Sequence, residues 1–258
     1  MFTIKQFRSA TLIESAGTLA VPGNAIPSSK LKGVKNVVLV HGAFADGTCW
    51  SKVIAQLQAK GYNVIAAQNP LTSLSNDVAA VKRVIAQIEG DILLVAHSYG
   101  GMVITEAGKD PKVAGLVYIA ALVPEEGQNG NDVNAAMPTT GVEKEFKVTA
   151  DGFAFLSAKA VDEYFAPDVT SEERKLIYAT QVPLAIAAVE EKVHEPAWKT
   201  KPSWYIVAAQ DKVINPDLER FKAKLIKATT IELNSSHVPM ISHAKRVTDF
   251  IIEAAQQL

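Results

Sequence analysis

The chain has 258 residues, 48% of them hydrophobic and 21% charged, with a formal net charge of −1. That balance argues against a nucleic-acid binder or a polybasic membrane patch, and it allows one large domain or two small ones around a substantial core. Cys49 is the only cysteine, which excludes an internal disulfide and a cysteine-based zinc site; it fits the reducing cytosol, and a cytoplasmic location is expected.

The opening MFTIKQFRSATLIES carries Lys5, Arg8 and Glu14 and lacks a continuous apolar stretch, so it does not read as a signal peptide. No apolar run is long enough to suggest a membrane span. Residues 1–30 are expected to add one or two edge strands at most. The first clear strand is NVVLVH (36–41), apolar and ended by Gly42. Residues 48–60 then have helical spacing through Trp50, Val53, Ile54 and Leu57, with Thr48 as N-cap and Gly61 as the stop. A strand over 62–67 follows, closed by Asn69-Pro70. The next helix, 75–90, shares one face among Val78, Val81, Ile85 and Ile88, with Ser75 or Asn76 as cap. DILLVA (91–96) is a strand, 99–108 a helix and 112–121 another strand.

After Pro124 the alternation stops. Residues 124–201 show no convincing buried strand but several helical pieces, SAKAVDEYF and SEERKLIYATQVPLAIAAVEEKV among them. It resumes with a strand at 202–211, a helix near 216–228, a strand at 229–234 and a closing helix over 241–257. Strands apolar on both faces, alternating with helices, predict an α/β fold: a mostly parallel central sheet flanked by helices. The expected division is a core of 1–123 and 202–258, with 124–201 as a helical cap inserted after the strand at 112–121.

Within this frame, LLVAHSYGGMV (93–103) carries the chemistry. The alanine of AHSYG stands where the G-x-S-x-G nucleophile elbow has its first glycine, a place that needs a small side chain because the turn brings backbones close. Ser98 is placed at the apex, with Gly100 and Gly101 letting the next helix pack tightly and aim its amides at the site. The plain alternative is a strand-to-helix turn that happens to hold a serine.

A serine hydroxyl needs a base, and the base an orienting carboxylate. Of the five histidines, His237 follows the last strand and is the expected base. His97 is expected to pack or bond locally, His41 to end the first strand, and His194 and His243 to be solvated or locally bonded. Asp211, just past the penultimate strand, is the expected acid, although an Asp there is also a common turn former; Glu125 and Glu126 are weaker rivals. Ser98, Asp211 and His237 each fall at the carboxyl end of a predicted parallel strand, where ligand sites of open α/β sheets lie. Their order along the chain is that of the α/β-hydrolase triad. HGA at 41–43 is expected to meet the remaining requirement, an oxyanion hole made by the backbone amides of Ala43 and Tyr99, the plain alternative being a tight strand-end turn.

VLVHGAFADGTCW, AHSYGG, AAQDKVINP and NSSHVPM together resemble the α/β-hydrolase superfamily, and its small single-domain branch of plant methyl esterases, hydroxynitrile lyases and bacterial esterase-like proteins. The resemblance runs from about Asn36 to the C-terminus. Hydroxynitrile lyases carry a lysine after the catalytic histidine and a threonine in the oxyanion loop; Val238 and Gly42 stand there instead, so the resemblance implies hydrolysis of a small carboxylic ester through an acyl-enzyme, with no cofactor or metal. A non-catalytic small-molecule receptor, or a cofactor-free lyase or perhydrolase at the same serine, are the alternatives. Serine at position 98 disfavours an aspartate-nucleophile dehalogenase. Phe153, Phe155, Leu156, Tyr164, Phe165 and Leu184 could roof an apolar pocket, and equally read as core of the cap itself. The sequence leaves a homo-oligomer open.

Overall fold

A computed structural model of the protein describes residues 32–258. The edge strands expected in residues 1–30 therefore lie outside the described residues. β1 (Asn36–Val40), β2 (Asn63–Ala67), β3 (Ile92–His97) and β4 (Val113–Ile119) alternate with α1 (Ser51–Ala59), α2 (Leu74–Ala86) and α3 (Gly100–Ala107). Segment 124–201, the expected cap, holds α4 (Gly130–Asn134), β5 (Phe146–Val148), β6 (Phe153–Leu156), α5 (Ala158–Ala160), α6 (Ser171–Thr180), β7 (Leu184–Ala185) and α7 (Ile186–Glu190). β8 (Ser203–Ala208), α8 (Pro216–Leu225), β9 (Thr229–Leu233), α9 (Pro239–Ser242) and α10 (Ala244–Gln256) complete the chain.

The main sheet runs β2-β1-β3-β4-β8-β9 with every pairing parallel. Strand burial follows position. β3 and β8 are buried at every residue, whereas the edge strand β9 alternates between exposed and half-buried. Central strands covered on both faces need continuous apolar runs, and ILLVA and WYIVA supply them.

Helix ends follow side-chain chemistry, shifted slightly from expectation. Ser73, not Ser75 or Asn76, caps α2 by accepting from the Asn76 amide at 3.1 Å. Asp46 caps a 3-10 turn (Gly47–Trp50) through the Thr48 amide at 2.8 Å, and α1 follows from Ser51.

The segment 124–201 is not purely helical. β5, β6 and β7 form a separate three-stranded antiparallel sheet. Asp151-Gly152 makes the β5–β6 turn, with Gly152 at φ +82°. The run read as one long helical piece also divides: α6 ends at Thr180, and Pro183 precedes the two-residue strand β7. Proline lacks the amide that a continuing helix would donate, and it biases the residue before it toward extended backbone.

Candidate active site

Ser98 directly follows β3 and has φ +53°, a left-handed backbone that a serine adopts only under constraint. The surroundings supply that constraint. The Ser98 amide donates to Ile119 O at 3.2 Å, and its carbonyl accepts from Gly101 and Leu122 amides at 2.9 and 3.1 Å. The turn also closes so tightly that its neighbours must lack side chains. A Cβ on Gly42 would stand 2.7 Å from Ser98 Cβ, one on Gly100 2.7 Å from His41 O, and one on Gly101 2.3 Å from Leu122 O.

The structure brings three of the sequence-selected side chains into one hydrogen-bonded line. Ser98 Oγ lies 2.8 Å from His237 Nε2, and His237 Nδ1 lies 2.5 Å from Asp211 Oδ2. Asp211 Oδ1 accepts from the Val213 and Ile214 amides at 2.6 and 3.0 Å, which fixes the carboxylate and leaves its other oxygen for the imidazole. His237 and Asp211 are buried, and Ser98 is 8% exposed. Beside Ser98, the amides of Ala43 and Tyr99 have no hydrogen-bond acceptor among the described residues. All three residues border a cavity of about 400 Å³.

The other histidines are placed elsewhere. His41 Nε2 accepts from the Asn69 amide at 2.9 Å while Nδ1 donates to Gly42 O at 2.9 Å, and burial lowers its pKa. It therefore staples the turn after β1 as a neutral ring. His97 donates Nε2–H to the carbonyl of His237 at 2.7 Å, 140 residues along the chain, so its bond is not the local one expected. Burial, and then the proximity of His237, hold His97 well below the usual histidine range. His194 is exposed, and His243 Nδ1 bonds Ser242 Oγ at 2.9 Å. Glu125 and Glu126 face Lys222 and Lys199 at 3.3 and 2.7 Å rather than an imidazole.

Four residues have roles here that the sequence did not assign them. Tyr99 OH donates to Asp77 Oδ2 at 2.7 Å, and Asp77 Oδ1 accepts from the Leu71 amide at 2.8 Å, tying the elbow to α2. Asp168, from the cap segment, accepts from the Ser236 amide at 2.8 Å and from Ser235 Oγ at 3.2 Å, which anchors the loop that carries His237. Phe165 sets its ring edge-on to His237 with centroids 5.1 Å apart; the sequence named it only as a roof residue. Glu219 on α8 is fully buried; its Oε2 accepts from the Ala208 amide at 3.0 Å and its Oε1 meets no donor among the described residues. Burial first, and the Asp211 charge second, raise the Glu219 carboxyl well above the usual range. Asp, Glu and Phe are ordinary at such positions, and only three-dimensional proximity singles these out.

Of the six roof candidates, Leu184 borders the cavity at Ser98 and Phe165 a neighbouring one, while Leu156 is buried within the cap segment. Cys49 keeps its proton, because burial pushes the thiol up. No described helix is long and apolar enough to cross a membrane.

Comparison with known proteins agrees with this fold. The alpha/beta hydrolase family matches residues 37–250. The chain is 27% identical to "Probable hydrolase R7" of Phoma sp., over 85% of this chain and 97% of that one. It is 25% identical to the "Pyrethroid hydrolase" of Sphingobium wenxiniae, over 86% and 88%. Among solved structures, polyneuridine aldehyde esterase superposes with a TM-score of 0.75 at 17% identity, covering 86% of this chain and 99% of that one, a likeness of fold.

Proposed function

The chain belongs to the alpha/beta hydrolase family, and on that premise we propose that it is a serine esterase acting through Ser98, His237 and Asp211. Its relatives are named as hydrolases and esterases, and the enzyme is a carboxylesterase-type hydrolase. The observation that carries the finer reading is the unbroken line from Asp211 through His237 to Ser98, ending in a cavity beside two unengaged amides.

In this reading His237 Nε2 takes the Ser98 proton as Oγ attacks the ester carbonyl. Asp211 holds the proton on Nδ1 and stabilises the imidazolium. The amides of Ala43 and Tyr99 bind the tetrahedral oxyanion, each being worth roughly 3–4 kcal/mol by analogy with other serine hydrolases. His237 then protonates the leaving alkoxide, and water activated by the same ring releases the acid from the acyl-serine. The cavity at Ser98 has Glu143 as its only charged lining residue among those described, which suits a neutral substrate. Val238, in the place of the lyase lysine, offers no charge for a cyanide leaving group.

The test is hydrolysis of p-nitrophenyl esters, acetate through octanoate, by the wild type and Ser98→Ala. Turnover that the substitution abolishes in a protein of unchanged thermal stability supports the serine mechanism. A wild type without turnover rejects it and favours the receptor reading.

A further inference from the structure

A second cavity, of about 240 Å³, adjoins the first. Phe44 lines both, at φ +58° with its ring 5.4 Å from that of Phe146. Only the larger cavity meets the reacting line itself, at Ser98; the smaller meets two neighbours of His237. The larger is bordered by Ser98 and by the two residues whose amides are free, Ala43 and Tyr99. The smaller is bordered by none of these, but by Val238, which follows His237 in the chain, and by Phe165, which packs on the His237 ring.

Acyl transfer gives that difference a meaning. When the tetrahedral intermediate collapses, the bond from carbon to the alcohol oxygen breaks and His237 Nε2 delivers its proton to that oxygen. The alcohol half must then lie on the histidine side, while the acyl half stays with Ser98 and the oxyanion donors. We infer that the smaller cavity is the alcohol subsite, so that the substrate is a neutral ester whose acid and alcohol halves are both bulky and apolar. The inference rests on ester hydrolysis at Ser98.

The linings agree. Ile177, Met240 and Ile241 give the smaller cavity apolar walls. Its one lysine among the described residues, Lys52, is paired with Glu173 at 2.5 Å, so no free cation waits for an anionic group. The same ion pair joins α1 to α6 at the cavity's edge, and Lys52 also donates to Ile241 O at 3.1 Å. A benzyl or short branched alkyl group would meet these apolar side chains, alongside the polar Asp46, Thr48, Ser51 and Thr180 that also line the cavity.

Two substitutions separate the halves. Ile177→Trp fills the smaller cavity from α6, and Ile186→Trp fills the larger one from α7. Each is assayed on acetates of methanol and benzyl alcohol, and on methyl esters of acetate and hexanoate, with thermal melts as the fold check. Ile177→Trp is expected to lower the benzyl-to-methyl ratio of kcat/KM by about tenfold or more, the range a pocket contact commands, and to shift the hexanoate-to-acetate ratio far less. Ile186→Trp is expected to do the reverse. An unchanged benzyl-to-methyl ratio in Ile177→Trp, or equal shifts in both ratios, overturns the assignment. Calorimetry of benzyl alcohol with Ser98→Ala keeps the subsite testable should the wild type cleave no ester. Binding that is lost on adding Ile177→Trp supports the subsite even where hydrolysis fails, and no binding overturns it.

Discussion

Asp77 offers the sharpest quantitative test of how the elbow is held. Its carboxyl is fully buried beneath Tyr99 and Leu71, and burial pushes its pKa from 3.8 to about 6 against the pull of the Tyr99 and Leu71 hydrogen bonds. Below the lower value both folded and unfolded chains are protonated and the group is neutral to stability. Between the two values the unfolded chain releases its proton while the folded one retains it, so stability falls as pH rises; above the upper value both are ionised and the loss is complete. The gap of 6 − 3.8 = 2.2 units corresponds to at most about 3 kcal/mol. Asp77→Asn removes this titration and imposes a pH-independent loss of about 1–2 kcal/mol for the weakened bonds to Tyr99 and Leu71. Urea unfolding of both proteins, followed by circular dichroism from about pH 4 to about pH 7, is the assay. The wild type should start ahead and lose that lead, with the variant level or more stable near neutrality. Parallel stability profiles would falsify the claim that Asp77 folds as a buried, reluctantly ionised acid.

The same reasoning applies to Glu219, whose carboxyl lies well above its usual 4.5 in the folded chain. Glu219→Gln should gain stability relative to the wild type as pH rises past about 4.5, because only the wild type must keep a proton that its unfolded chain has released; a difference independent of pH in denaturant titrations counts against a raised Glu219 carboxyl. Gly100→Ala places a Cβ 2.7 Å from His41 O and 2.9 Å from Val40 O, both backbone atoms with little room to yield. We expect a loss of about 1–3 kcal/mol together with a fall in esterase turnover, and an unaltered melting temperature with full activity would show that the elbow relaxes freely.

The fold was legible because its inner strands are covered on both faces, which leaves continuous apolar runs that no solvent-facing strand would carry. Ser98, Asp211 and His237 could be put at one edge of the sheet for a related reason. In a parallel sheet every strand ends on the same side, so residues just after β3, β8 and β9 share a rim whatever their separation in sequence. The cap segment lacks both regularities. Its three strands are two to four residues long and half-exposed in part, too short for a period of two to stand out. The Asp151-Gly152 turn between FKV and FAFL was the one available signal, and it was masked by helical composition on either side.

What the sequence concealed most completely is the way the cap reaches the base. The segment 124–201 reads as a roof, a part that covers the site without touching its chemistry. Yet Asp168 takes the Ser236 amide and Phe165 lies against the His237 ring. From the core side, His97 takes the His237 carbonyl. The imidazole is thus held through its backbone carbonyl by His97, at its ring by Phe165 and at Nδ1 by Asp211, which leaves Nε2 facing Ser98 as the proposed mechanism requires. A general base held to one rotamer does not have to be ordered again at each turnover, and orientation is where much of an enzyme's advantage over a free imidazole arises. Segment 124–201 lines both cavities and also contacts the proposed base, so a change in Phe165 is expected to alter both the smaller cavity and the setting of the His237 ring.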